Sequence, residues 1–250
     1  MHPEHHFRQL GDGLFSLGQK KGGRVHAFLV EDQGKLTLID TLYDTDASFI
    51  DKVIQQMGRK VDDLENIIIT HAHRSHLGGL AALKTRSKAT VWAHEWESDI
   101  IAGQRKAQAV PFFPRRPYHV SLRVWFPFQF GLALGLGPHP ACEVDRFLTD
   151  GCSVGPLTIC HTPGHSPGHL SMFWKERRTL FAGDSIATWP DLSLGWPAFN
   201  LNKRQHYESL HKIREFDPEI IAVGHGEPAT GEQVAQLHEK IQSARPDGLP

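Results

Sequence analysis

The stretch Thr70-His71-Ala72-His73-Arg74-Ser75-His76-Leu77-Gly78-Gly79 sets three histidines within six positions, directly behind the apolar run Ile67-Ile68-Ile69. A short uninterrupted apolar run is the pattern of a strand buried on both faces. The imidazoles therefore gather where that strand stops. Residues 71 and 73 are two apart, so in extended backbone His71 and His73 point the same way and can grip one metal ion. His76 lies past the turn and can reach a second.

Three further polar clusters follow strand-like runs: HTPGHSPGH at 161–169, FAGDS at 181–185 and VGHGEP at 223–228. Side chains at such positions can converge on one sheet edge. Strand-like bursts at 13–17, 25–30 and 36–40 form a meander with glycine or charged turns. More follow at 65–70, 89–93, 157–160, 170–174, 179–182 and 220–223. Helical spacing runs over 47–58, where Phe49, Val53, Ile54 and Met57 share a face, and again near 203–215 and 231–244. The alternation predicts one α/β (α+β) domain spanning residues 1–250.

Residues 98–150 break that rhythm and read as an apolar insertion. Trp125 and Phe126 within it, and Trp189, Trp196 and Phe199 just after Asp184, are candidates for the wall of an apolar substrate pocket. A packed excursion, a subunit contact and a membrane-surface patch are the competing readings of the insertion. The last is the least favoured.

The chain has 250 residues and a formal net charge of −1, which gives no hint of a nucleic-acid partner. Seventeen histidines are the compositional oddity and favour a metal site. His2, His5 and His6 read as part of a frayed terminus, and His26 as an ordinary satisfied histidine. Three cysteines without metal-ribbon spacing fit a reducing compartment. The N-terminus has no apolar signal region, and Val120 to Leu136 is too interrupted to span a bilayer. A cytoplasmic protein acting on a small molecule is the expectation, with a homodimer left open.

Taken in order, His71-x-His73-x-x-His76, Pro163-Gly164-His165, Gly183-Asp184-Ser185 and Gly224-His225 resemble the metallo-β-lactamase-fold superfamily, over roughly residues 12–235. The resemblance implies a four-layer αββα sandwich with a metal centre at the sheet edges. It further implies two divalent ions, zinc first, with manganese or iron as alternatives. His71, His73 and His165 would hold one ion, His76 and His225 the other, and Asp184 both. Asp40, at the end of LTLID, would orient a ligand imidazole.

Ser75 departs from the pattern. The family places aspartate there, and serine is a short, neutral, poor ligand, so the second site is expected to bind weakly. Arg74 beside it reads as a surface ion pair ahead of an anchor for an anionic substrate.

The implied chemistry is metal-dependent hydrolysis, because a divalent ion lowers the pKa of bound water from 15.7 to about 7 and gives a hydroxide nucleophile at neutral pH. Asp184 and His225 would serve the reaction directly. An ester, lactone, thioester, β-lactam or phosphoester would suit such a centre. Related lactonases place a tyrosine three residues after the shared aspartate, where Ala187 stands here. The alternative is an oxidoreductase similar to the persulfide dioxygenases, with one iron on His71, His165 and Asp184. A relative that binds metal without turnover is a third reading.

Overall fold

The computed structural model describes residues 4–107, 139–196 and 199–245. Two sheets dominate. The first has strands β1 (His5–Gly11), β2 (Leu14–Gln19), β3 (Val25–Asp32), β4 (Lys35–Ile39), β5 (Leu64–Ile68), β6 (Thr90–Ala93) and β7 (Arg146–Phe147), in that spatial order. The hairpins β1 to β4 are antiparallel; β4 to β7 run parallel. The second has β8 (Ser153–Val154), β9 (Leu157–His161), β10 (Leu170–Trp174), β11 (Thr179–Gly183), β12 (Ile220–Val223) and β13 (Ala229–Thr230), ordered β13-β12-β11-β10-β9-β8.

The helices that cover these sheets are α1 (Ser48–Gln56), α2 (Arg74–Leu77), α3 (Leu80–Arg86), α4 (Glu95–Ile101), α5 (Lys203–Arg214) and α6 (Glu232–Ser243). Strand alternation sorts the apolar residues into three separate cores. Leu36 and Leu38 of β4 face Ile50, Val53 and Ile54 of α1. Ile39 and Ile68 face the other sheet, meeting Leu157, Ile159, Met172 and Phe181. Phe28 and Phe181 pack edge to face across that gap with ring centroids 5.6 Å apart. Leu180 and Ile221 turn outward onto Leu210, Ile213, Leu237 and Ile241. Three cores between four layers make the αββα sandwich. Each fully buried Leu, Ile or Phe contributes about 1.5–3 kcal/mol of transfer free energy.

Several elements depart from the sequence pattern. His5 and His6 lie in β1, paired with Gln19 and Gly18, and are not part of a frayed end. The segment read as an insertion begins inside α4, which runs through Ile101, and β7 at Arg146–Phe147 pairs with β6. Trp125 and Phe126 lie outside the described residues. Among the described residues, no helix is long and apolar enough to cross a membrane.

Candidate metal centre

Four loops leave the two sheets at one end and bring the histidine and aspartate side chains together. The loop after β5 carries His71 and His73, the latter in extended backbone, then turns into the short helix α2 with His76. The loop between β9 and β10 brings His165. Asp184 follows β11, and His225 follows β12.

His71 Nε2, His73 Nδ1 and His165 Nε2 converge, with 3.0 Å from His71 to His73 and 3.1 Å from His165 to His73. Asp184 Oδ2 lies 3.6 Å from both His71 Nε2 and His165 Nε2. Tetrahedral zinc with nitrogen and oxygen ligands at 2.0–2.1 Å sets those atoms about 3.3 Å apart. The observed spacings bracket that value. A second group shares the aspartate: His76 Nε2 is 3.4 Å from Oδ1 and His225 Nε2 is 3.4 Å from Oδ2. His76 Nε2 and Asp184 Oδ1 are buried without a hydrogen-bond partner among the described residues. Buried polar atoms are ordinarily satisfied, and a cation between these two would satisfy both. The donor set fits two divalent ions.

The surrounding residues fix the ligands. Asp40 Oδ2 accepts from His76 Nδ1 at 2.8 Å, while Asp40 Oδ1 accepts from the Thr70 backbone N–H at 2.9 Å. Asp40 adopts φ +59°, an unusual backbone for a non-glycine residue. The Gly23 carbonyl accepts from His225 Nδ1 at 2.8 Å. His169 Nε2 accepts from the Asp184 backbone N–H at 3.1 Å, and its own Nδ1 meets Thr162 Oγ1 at 2.8 Å. Gly224 leaves room that any side chain would deny, because a Cβ there would collide with Asp184 Oδ1 and the His76 ring.

Burial and mutual repulsion keep the first cluster uncharged. Burial pushes His71 and His165 well below the usual histidine range and His73 to about 4. Burial also lowers His225. Neutral imidazoles are the form that ligates metal. Asp184 shows the opposite balance: burial would raise its carboxyl, but His225, His76 and His71 outweigh it and hold it well below the carboxylate range. Burial opposes charge on His76 too, yet Asp184 and Asp40 on either side raise it to about 10.

The structure brings together all six sequence-predicted ligands and sets Asp40 behind His76. Ser75 is half-buried in α2 beside His76. Arg74 stacks its guanidinium 4.5 Å above the Tyr43 ring. Trp196 lies against His225 with ring centroids 4.5 Å apart, and its indole N–H donates to the Trp189 carbonyl at 3.0 Å. Phe199 faces His73 and His165 at 6.3 and 6.4 Å.

One residue escapes sequence reasoning. Glu97 of α4 is buried, and its carboxylate accepts from the Ala72 N–H at 3.0 Å, the Gly168 N–H at 3.0 Å and Ser166 Oγ at 2.5 Å. It clasps two of the three loops that carry the first cluster. Burial raises its carboxyl above the usual range against those bonds. The available signal was an acid on an otherwise apolar helix face, EWESDII.

A family model described as "Metallo-beta-lactamase superfamily" matches residues 21–225. The chain is 30% identical over 212 residues to the "Uncharacterized protein YobT" of Bacillus subtilis, covering 81% of this chain and 83% of that protein. It is 25% identical over 194 residues to the human "Acyl-coenzyme A thioesterase MBLAC2", covering 72% of this chain and 65% of that one. Among solved structures, the Thermus thermophilus metallo-beta-lactamase family protein TTHA1429 aligns with a TM-score of 0.63 at 23% identity, over 94% of this chain and 81% of that one. With two layered sheets, one convergent His and Asp centre and a family match across most of its length, the chain belongs to the metallo-beta-lactamase superfamily as a metal-dependent hydrolase.

Proposed function

We propose that the protein hydrolyses an acyl thioester or ester with an apolar acyl group, at a zinc centre whose second ion is weakly held. The observation that carries this is the aromatic wall. Trp196 and Phe199 flank ligands of both clusters, at 4.5 Å from His225 and 6.3 Å from His73. An apolar chain laid on those rings would bring its carbonyl to the metal edge. The likeness to a thioesterase supports the thioester member of this class.

Bound zinc would supply Lewis acidity and an attacking water of lowered pKa. Asp184 holds negative charge between the clusters and aligns both. Asp40 and the Gly23 carbonyl keep the Nε2 atoms of His76 and His225 turned inward. Trp196 and Phe199 exclude water from the acyl side. Hydrolysis adds water across the acyl carbon–sulfur or carbon–oxygen bond, releasing a carboxylic acid and a thiol or alcohol. The one-iron reading accounts for less, because it leaves His76 Nε2 and Asp184 Oδ1 buried and unused.

The test is a substrate panel with zinc-loaded protein: acyl thioesters of increasing chain length, matched esters, a lactone, a β-lactam and a phosphodiester. We expect kcat/KM to rise with acyl length, by about 4-fold per methylene buried, and Trp196→Ala to abolish that rise. A phosphodiester or β-lactam cleaved faster than every thioester and ester, or a rate indifferent to acyl length, would overturn the reading.

A further inference from the structure

A second group of ligand-type side chains lies outside the centre already described. Its parts come from neighbouring strands at one register. His6 of β1 pairs with Gly18 of β2, and Gly18 pairs with His26 of β3. Strands β1 and β3 flank β2, and the glycine between them lets the two imidazoles lean together. A side chain at position 18 would occupy the His6 ring. The rings meet edge to face with centroids 5.0 Å apart. Glu227 arrives from the loop behind β12.

The donor atoms converge. His6 Nε2 lies 3.1 Å and His26 Nε2 3.8 Å from Glu227 Oε1, and all three ligand atoms fall within 4.8 Å of one another. Neither Nε2 atom has a hydrogen-bond partner among the described residues. The His26 side chain is 0% exposed, so its Nε2 is a buried polar atom aimed at the Glu227 carboxylate without bonding it. Its other nitrogen is fixed: Nδ1 meets Ser16 Oγ at 2.9 Å. With the proton on Nδ1 and donated to Ser16, the Nε2 lone pair faces Glu227 and His6. Burial is the largest of the causes that lower the pKa of His26, to about 3. Arg8 takes the other carboxylate oxygen at 3.6 Å, leaving Oε1 for a ligand.

We propose that His6, His26 and Glu227 form a further divalent-cation site of the zinc class, separate from the hydrolytic centre, that fastens the N-terminal strand to the loop carrying His225. Two imidazoles and one carboxylate suit zinc or a neighbouring transition metal, with water completing the shell. Glu227 stands two residues after His225, and the loop is already tied to β3 by His26 N–H donating to the Gly224 carbonyl at 2.8 Å. An ion there would hold the outer strand, β3 and the His225 loop as one unit.

The test compares zinc per chain, by plasma mass spectrometry after dialysis against buffered zinc, in the full wild-type chain, His6→Ala and Glu227→Gln. We expect each variant to hold one ion fewer than wild type, and the deficit to persist when His6→Ala is added to a His225→Ala background. We also expect zinc to slow hydrogen exchange of the β1 amides in wild type and not in either variant. Equal ion counts in all three proteins would overturn the proposal, as would a deficit that vanishes in the His225→Ala background or β1 amides indifferent to zinc. Glu227→Gln keeps the shape of the side chain and decides the matter alone should His6→Ala not fold. The hydrolytic reading stands or falls on the substrate panel, independently of this count.

Discussion

The cluster of His71, His73, His165 and Asp184 and the cluster of His76, Asp184 and His225 share one carboxylate, yet the protein supports them differently. The first has four donors drawn from three loops, two of them clasped by Glu97. Its His165 Nδ1 nevertheless has no hydrogen-bond partner among the described residues. The second has three donors, and both of its imidazoles are fixed through Nδ1, by Asp40 and by the Gly23 carbonyl. Orientation and donor number are thus separate properties. The second cluster is well aimed but offers three donors where the first offers four.

The largest expected effect attacks what the clusters share. Asp184→Asn keeps the side-chain shape and removes its charge, so both ions should loosen and kcat/KM should fall about a thousandfold, ~4 kcal/mol of transition-state stabilisation. Metal content and steady-state kinetics measured together check this. Loss of one ion alone would mean that the carboxylate serves a single cluster.

A smaller effect concerns the support beneath the first cluster. His206 is buried, donates its Nε2–H to the Leu194 carbonyl at 2.9 Å, and packs its backbone under Gly164 beside His165. Burial lowers its pKa to about 4, against the pull of that carbonyl. The unfolded chain, with an ordinary histidine near 6.5, takes up the proton first. Stability is therefore lost as pH falls from about 6.5 through 4, with about 2 kcal/mol gone by pH 5. Denaturant unfolding of the metal-free chain at pH 7 and pH 5 should show at least this loss, since His26 and His73 titrate in the same sense, and His206→Gln should shrink it by about 2 kcal/mol. An unchanged pH dependence in the variant would place the titration elsewhere.

The smallest effect tests the donor shortage itself. Ser75→Asp should tighten the weaker ion about tenfold, ~1.4 kcal/mol, leaving the tighter ion unchanged in a chelator competition. No change in either affinity would show that position 75 does not face the second cluster.

Much of this was legible in the sequence, and the exceptions have physical reasons. The buried strands β3, β10 and β12 announce themselves through apolar runs, and the six ligands through their position behind such runs. β1 does not: HHFRQLG is polar because an edge strand is half-exposed. β7, β8 and β13 have two residues each, too few for a periodic pattern. Glu97 was hidden because its partners stand at 72, 166 and 168, far along the chain. A buried carboxylate is explained only by the loops it touches. The convergence of His6, His26 and Glu227 is equally non-local, since it depends on strand register and on the absence of a side chain at Gly18.

The metal ligands stand outside the three apolar cores, on loops beyond the strand ends and, for His76, on the short helix α2. The order of assembly follows from that. The sandwich is expected to reach its native shape with empty hands, unlike small zinc modules in which ion and fold arrive together. Metal is then expected to load late and to exchange, so that the ion carried follows supply rather than the act of folding.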